Sequence, residues 1–174
     1  MTMGNHVLVT GLVILTLATA AGARDHAAPA SPKAAEPQEV EVIAVVMDPR
    51  TQVPAVVLEG KRDKRHLTMA IGLAEATGIA VPLQGVTPPR PLTHDLFLTL
   101  FGRLNVRLTR VVVTDLRDDI YYATLQLAAA GTTFTLDSRP SDAIALAIRA
   151  KVPVLVEDRV FDKAGSLGAP GPRI

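Results

Sequence analysis

A chain of 174 residues with 18 basic and 17 acidic side chains, no cysteine and no tryptophan is long enough for one domain with a proper core and short for two. The near-balanced charge excludes a protein that grips nucleic acid by bulk electrostatics, so any polyanion contact must come from local clusters. The missing cysteine excludes disulfides, thiolate catalysis and cysteine-ligated zinc, and the few aromatics argue against a base-stacking platform.

From the N-terminus, Val7 to Ala21 is an uncharged apolar run that ends in Ala21-Gly22-Ala23, a small-residue pattern of the kind signal peptidase reads. Ala18-Thr19-Ala20 offers a second such site. The expectation is a signal peptide over residues 1–23 and export to the periplasm or beyond, with no stable membrane insertion after cleavage. The alternative is an uncleaved anchor, since a run of roughly 17 apolar residues nearly spans a bilayer and Met1 to His6 carry no Lys or Arg. Residues 24–38, rich in Ala and Pro, read as a linker. The domain is expected over 39–163, with 164–174 a frayed Gly/Pro tail.

Within the domain, Val40 to Met47 reads as a buried strand, Pro54 to Leu58 as a second and His66 to Ile71 as a third. The basic run Lys61-Arg62-Asp63-Lys64-Arg65 between them reads as a solvated hairpin tip or a modest nucleic-acid contact, which Arg103, Arg107 and Arg110 would extend. Asp115, Asp118 and Asp119 are the competing partners for those arginines. Leu73 to Thr77 starts a short helix that either breaks at Gly78 or resumes through Ile79 and Val81. Thr93 to Leu104 is a longer helix, with Leu96, Phe97, Leu100 and Phe101 at helical spacing. Val106 to Asp115 and Tyr121 to Ala128 pair across Arg117-Asp118-Asp119, and Thr132 to Asp137 follows a turn at Gly131. Pro140 to Lys151 is a second long helix, apolar on more than one face, and Val152 to Glu157 a final strand. Hairpins interleaved with separated helices make an α+β fold: one compact domain with a mixed or antiparallel β-sheet, two main helices and a short third.

Two motifs, Arg90-Pro91-Leu92-Thr93-His94-Asp95 and Arg139-Pro140-Ser141-Asp142, read as helix starts. Proline fixes its own φ and keeps the preceding arginine out of helical geometry. Thr93 and Ser141 are expected caps, and the aspartates suit the positive end of the dipole. An arginine beside such a start makes a seat for phosphate. The competing reading is a pair of ordinary caps, each arginine bound to a nearby acid.

Together, Pro54-Ala55-Val56-Val57-Leu58, Ile71-Gly72-Leu73-Ala74-Glu75-Ala76, Arg90-Pro91-Leu92-Thr93-His94-Asp95-Leu96 and Asp137-Ser138-Arg139-Pro140-Ser141-Asp142-Ala143-Ile144-Ala145-Leu146-Ala147 resemble the bifunctional nuclease domain family over residues 40–163. The resemblance implies an α+β domain, often oligomeric, and for some members cleavage of both DNA and RNA. It brings no mechanism residue by residue.

The chain's own residues supply candidates for phosphodiester hydrolysis. Arg90, Thr93, Arg139 and Ser141 are the phosphate-binding set, and His94, Asp95, Asp137 and Asp142 the catalytic one, His94 as general base or acid. Glu75, Asp95 and Asp142 are expected to hold Mg²⁺ or Mn²⁺ through oxygen ligands, although no established metal-binding spacing is present. The expected partners are nucleic acid and a second copy of the chain in a homodimer. The alternative function is a non-catalytic, oligomeric module that binds an anion or a partner through the two Arg-Pro helix starts.

Overall fold

The structure, a computed structural model, describes residues 36–168. The expected signal peptide, most of the linker and the end of the tail lie outside the described residues. Among those described, no helix is long and apolar enough to cross a membrane.

The chain runs β1 (Gln38–Met47), β2 (Pro54–Gly60), β3 (His66–Ala70), α1 (Leu73–Leu83), α2 (Thr93–Arg103), β4 (Val106–Arg117), β5 (Ile120–Ala129), β6 (Thr132–Ser138), α3 (Pro140–Ala150), β7 (Val154–Val156) and α4 (Asp158–Gly168). The α+β expectation holds. The seven strands form one mixed sheet in the order β3-β2-β1-β7-β4-β5-β6. Two antiparallel meanders, β1 to β3 and β4 to β6, are joined by β7, which pairs antiparallel with β1 and parallel with β4. The tight turns follow from their residues. Asp118 and Asp119 have φ of 49° and 61°, and Ala130 and Gly131 have 49° and 78°. Two consecutive positive φ values make the primed two-residue hairpin whose twist matches the strands.

Val111, Val112 and Val113 are all buried, although neighbouring strand residues point to opposite faces, so β4 is covered on both sides. Helix α3 packs on β4 and β5 and touches both α1 and α2; α4 packs on β4 and β3. As its composition predicts, α3 is buried on more than one face, through Ala143, Ile144, Ala145, Leu146 and Ala147.

Three expectations need correction. Of the two readings of α1, the one that resumes through Ile79 and Val81 holds: the helix passes Gly78 and runs on to Leu83, with Pro82 inside its last turn. The short third helix is thus as long as the other two, 11 residues in each case. A fourth helix, α4, extends from Asp158 through residues read as tail, and buries Val160 and Phe161. Gln38, read as the end of the linker, is buried at the start of β1.

The basic run lies on the β2–β3 connection, where each cation has a partner. Lys61 pairs with Glu39, Lys64 with Glu59, Arg62 with Asp158, and Arg65 with Asp63, Asp158 and Asp162. Arg65 also lies over the Phe161 ring, 4.6 Å from its centroid. Arg62 and Arg65 thus clamp the start of α4 through its Asp158 and Asp162 carboxylates.

Candidate functional site

The first turns of three helices line one cleft of about 390 Å³. Glu75 comes from α1, Thr93 and His94 from α2, and Arg139 and Asp142 from the start of α3. The strand β6 runs directly into α3, since Arg139 is the N-cap and Pro140 fixes φ at the first helical position. Three helix N-termini present their positive ends to the cleft, the polarity that favours an anion.

Four of the expected site residues are brought into one chain of contacts. The Arg139 guanidinium bridges two carboxylates: Nη1 lies 2.8 Å from Glu75 Oε1, and Nε donates to Asp142 Oδ2 at 2.8 Å. The other oxygen of Asp142, Oδ1, lies 3.3 Å from Nε2 of His94. The His94 side chain is 15 % exposed, whereas that of Arg139 is 65 % exposed. The Glu75 backbone N–H and Arg139 hold the Glu75 carboxyl below its usual range, and Asp142 and Glu75 together raise the Arg139 pKa. His94 fits only because of Gly78: a Cβ there would meet the ring at 2.8 Å from Cε1 and 3.2 Å from Nδ1.

The two Arg-Pro motifs are not equivalent. Arg90 is exposed and has no hydrogen bond or ion pair among the described residues, and it does not line the cleft. Neither Thr93 nor Ser141 caps its helix through its side chain. The N-caps are Leu92 and Arg139, and on α2 the carboxylate of Asp95 reaches back to accept the Leu92 N–H at 2.8 Å. Ser141 lines a neighbouring cleft of about 290 Å³ between the end of β3, the start of β5 and α3, which shares Glu75 and Arg139 with the first. Asp137 sits on the edge strand β6, beside a groove next to the main cleft.

Asp95 is engaged elsewhere, by a residue that the sequence did not disclose. Arg149, in the last turn of α3, donates through Nε to Asp95 Oδ1 at 2.8 Å, and its side chain is only 7 % exposed. Its Nη1 donates to the Gly78 and Ala145 carbonyls at 2.6 and 2.9 Å. The Gly78 carbonyl is open to Arg149 because its helical donor four residues on would be Pro82, which has no N–H. Arg149 thus ties α1, α2 and α3 together beneath the cleft. Burial raises the Asp95 pKa, but the Leu92 N–H and Arg149 outweigh it and hold the carboxyl below its ordinary value.

Glu75, Asp95 and Asp142 do not fit a divalent ion as placed. Asp95 belongs to Arg149, and the other two carboxylates already share the Arg139 cation. Among the described residues no three His, Asp or Glu side chains gather closely enough to hold a metal.

Comparison with known proteins points the same way as the motifs. A family model described as the bifunctional nuclease domain matches residues 56–167. An uncharacterized protein of Mycobacterium tuberculosis is 38% identical over 129 residues, covering 74% of this chain and 77% of that protein. Bifunctional nuclease 1 of Oryza sativa subsp. japonica is 33% identical over 111 residues, which is 61% of this chain and 33% of the rice protein. The bifunctional nuclease of Oryza minuta matches to the same extent.

Proposed function

Because the chain belongs to the bifunctional nuclease domain family, we propose that it hydrolyses phosphodiester bonds, in DNA and RNA alike, in the cleft between α1, α2 and α3. The observation that carries this reading is the His94–Asp142–Arg139 chain set among three helix N-termini. With the Nε2 proton directed to Asp142, the imidazole has its Nδ1 lone pair as a base. Asp142 fixes that tautomer and stabilises the imidazolium formed when His94 takes a proton from the attacking water. The leaving oxygen is protonated from solvent. Arg139, exposed at the mouth of the cleft, meets the phosphate and the charge that develops on it. Glu75 positions Arg139 from the opposite side, and Asp95 holds the start of α2.

The test uses the full chain with labelled single-stranded DNA, duplex DNA and RNA. Mg²⁺, Mn²⁺ and chelator are run in parallel, because the carboxylates do not form an ion site by themselves. The His94→Ala chain and an Asp142→Asn/Arg139→Ala chain are each expected to lose about 100-fold or more in rate. Equal rates in wild type and both variants would place any cleavage outside this cleft.

A second reading, a binding module that assembles as a dimer, is favoured by α2, which buries none of its residues fully. Leu96, Leu100 and Leu104 form an exposed stripe along it. Anion-induced thermal stabilisation of the wild type without turnover would select that reading.

A further inference from the structure

The polar cleft shares four lining residues, Thr93, His94, Arg139 and Asp142, with a second groove of about 440 Å³. The rest of this groove is largely apolar: Phe97, Phe101, Leu125, Leu136 and Leu146 form its walls. Two of the four phenylalanines in the chain therefore stand beside His94, Asp142 and Arg139. Their placement outweighs the scarcity of aromatics in the composition. Phe101 meets Phe97 edge to face, with centroids 6.2 Å apart and planes at 79°, and so braces a Phe97 ring that is itself 49 % exposed. An open aromatic face of this kind gains little in the free protein, and burying it against a flat π-system is its evident use.

We infer that this groove is a nucleobase subsite, in which a base flanking the bound phosphate stacks on Phe97. The inference rests on the cleft being a phosphodiester site. A phosphate held at Arg139 carries its sugar and base within a few ångströms, and the groove begins at the same arginine. Its volume is in the range of small-ligand pockets, which pair apolar walls with a few polar groups. Stacking is tolerant of base identity, because every base offers a π-face, so the subsite favours unpaired bases without selecting a sequence. The occupant is not the surface a second copy would cover along α2, since Leu96, Leu100 and Leu104 do not line the groove.

The experiment measures binding without cleavage, in the full chain carrying His94→Ala. Fluorescence anisotropy compares a labelled single-stranded oligonucleotide with an abasic strand of equal length, with Phe97 present and with Phe97→Leu. Phe97 is half exposed, so Leu preserves the fold while removing the aromatic face. The expected result is that the base-bearing strand binds about tenfold tighter than the abasic one. Phe97→Leu abolishes that difference and leaves abasic binding unchanged. Equal affinity for the two strands with Phe97 present overturns the subsite and leaves the phosphate reading intact. Failure to bind either strand overturns both. A Phe97→Leu change in sedimentation without any change in base dependence assigns the groove to a second copy and overturns the subsite as well.

Discussion

Gly78 lies in the middle of α1, where glycine costs about 1 kcal/mol relative to alanine, and the cost is explained by the ring above it. Gly78→Ala therefore separates stability from function. The helix gains propensity, but the new Cβ forces His94 away from its place beside Asp142. The expected outcome is a cleavage rate at least about tenfold lower with helical circular dichroism unchanged. Retained activity would show that His94 has room to move. A second consequence concerns pH. Asp95 has its folded carboxyl pKa below the unfolded one, so its contribution is present above the unfolded value and is lost as pH falls through the folded value. Melting temperature is expected to hold from pH 7 to about 5 and to fall below about pH 4. Asp95→Asn should lower the neutral plateau and flatten part of the acid slope, which calorimetry across that range would reveal. Much of this site was legible as residue types: Glu75, His94, Arg139 and Asp142 do come together. The pairing of Arg139 with a nearby acid was legible as well, whereas that of Asp95 was not. Arg149 lies in the last turn of an apolar helix, and its role depends on the Gly78 carbonyl that Pro82 leaves open, 71 positions earlier in the chain, a link that only the fold creates.

At the scale of elements, the strands were legible because their turns carry local chemistry, as at Asp118-Asp119 and Gly131. The sequence left α1 open between a break at Gly78 and a continuation through Ile79 and Val81, because Gly78 and Pro82 both disfavour a helix in isolation. Packing against α3 overrides both, and Ile79 is fully buried there. Helix α4 escaped notice for the opposite reason. Its first turns are polar, with Asp158, Arg159, Asp162 and Lys163 around the buried Val160 and Phe161. Its anchor, the β2–β3 connection, lies 96 to 97 positions earlier in the sequence. The two kinds of anchor are expected to differ in strength. Phe161→Ala should cost about 3 kcal/mol, as a buried aromatic does. Asp158→Ala removes half-exposed pairs with Arg62 and Arg65 together with a long hydrogen bond from Gln38, and should cost about 1 kcal/mol, less at high salt. Urea denaturation of both variants, in low and high salt, would distinguish a helix held by packing from one held by charge.

For the whole molecule, one exposed apolar feature outside the groove is the stripe of Leu96 and Leu100 on α2, continued by Leu104 at its C-cap. Such a surface is of the kind that dimers cover. If the chain pairs there, Leu100→Asp should convert a dimer into a monomer in analytical ultracentrifugation at micromolar concentration, with little change in melting temperature of the monomer itself, since Leu100 is 51 % exposed. An unchanged sedimentation coefficient would place the contact elsewhere. The short strand β7 has a different kind of reach. Among the described residues, the short segment from Pro153 to Glu157, centred on β7, makes the backbone hydrogen bonds that link one meander to the other, and it comes late in the chain. During synthesis the first three strands can zip together as they leave the ribosome, and β4 to β6 can do the same, but the two remain separate ribbons until the last fifth of the domain has emerged. The order in which the protein is made thus sets the order in which it closes, and a chain cut short before Val154 would have two half-sheets with no shared edge.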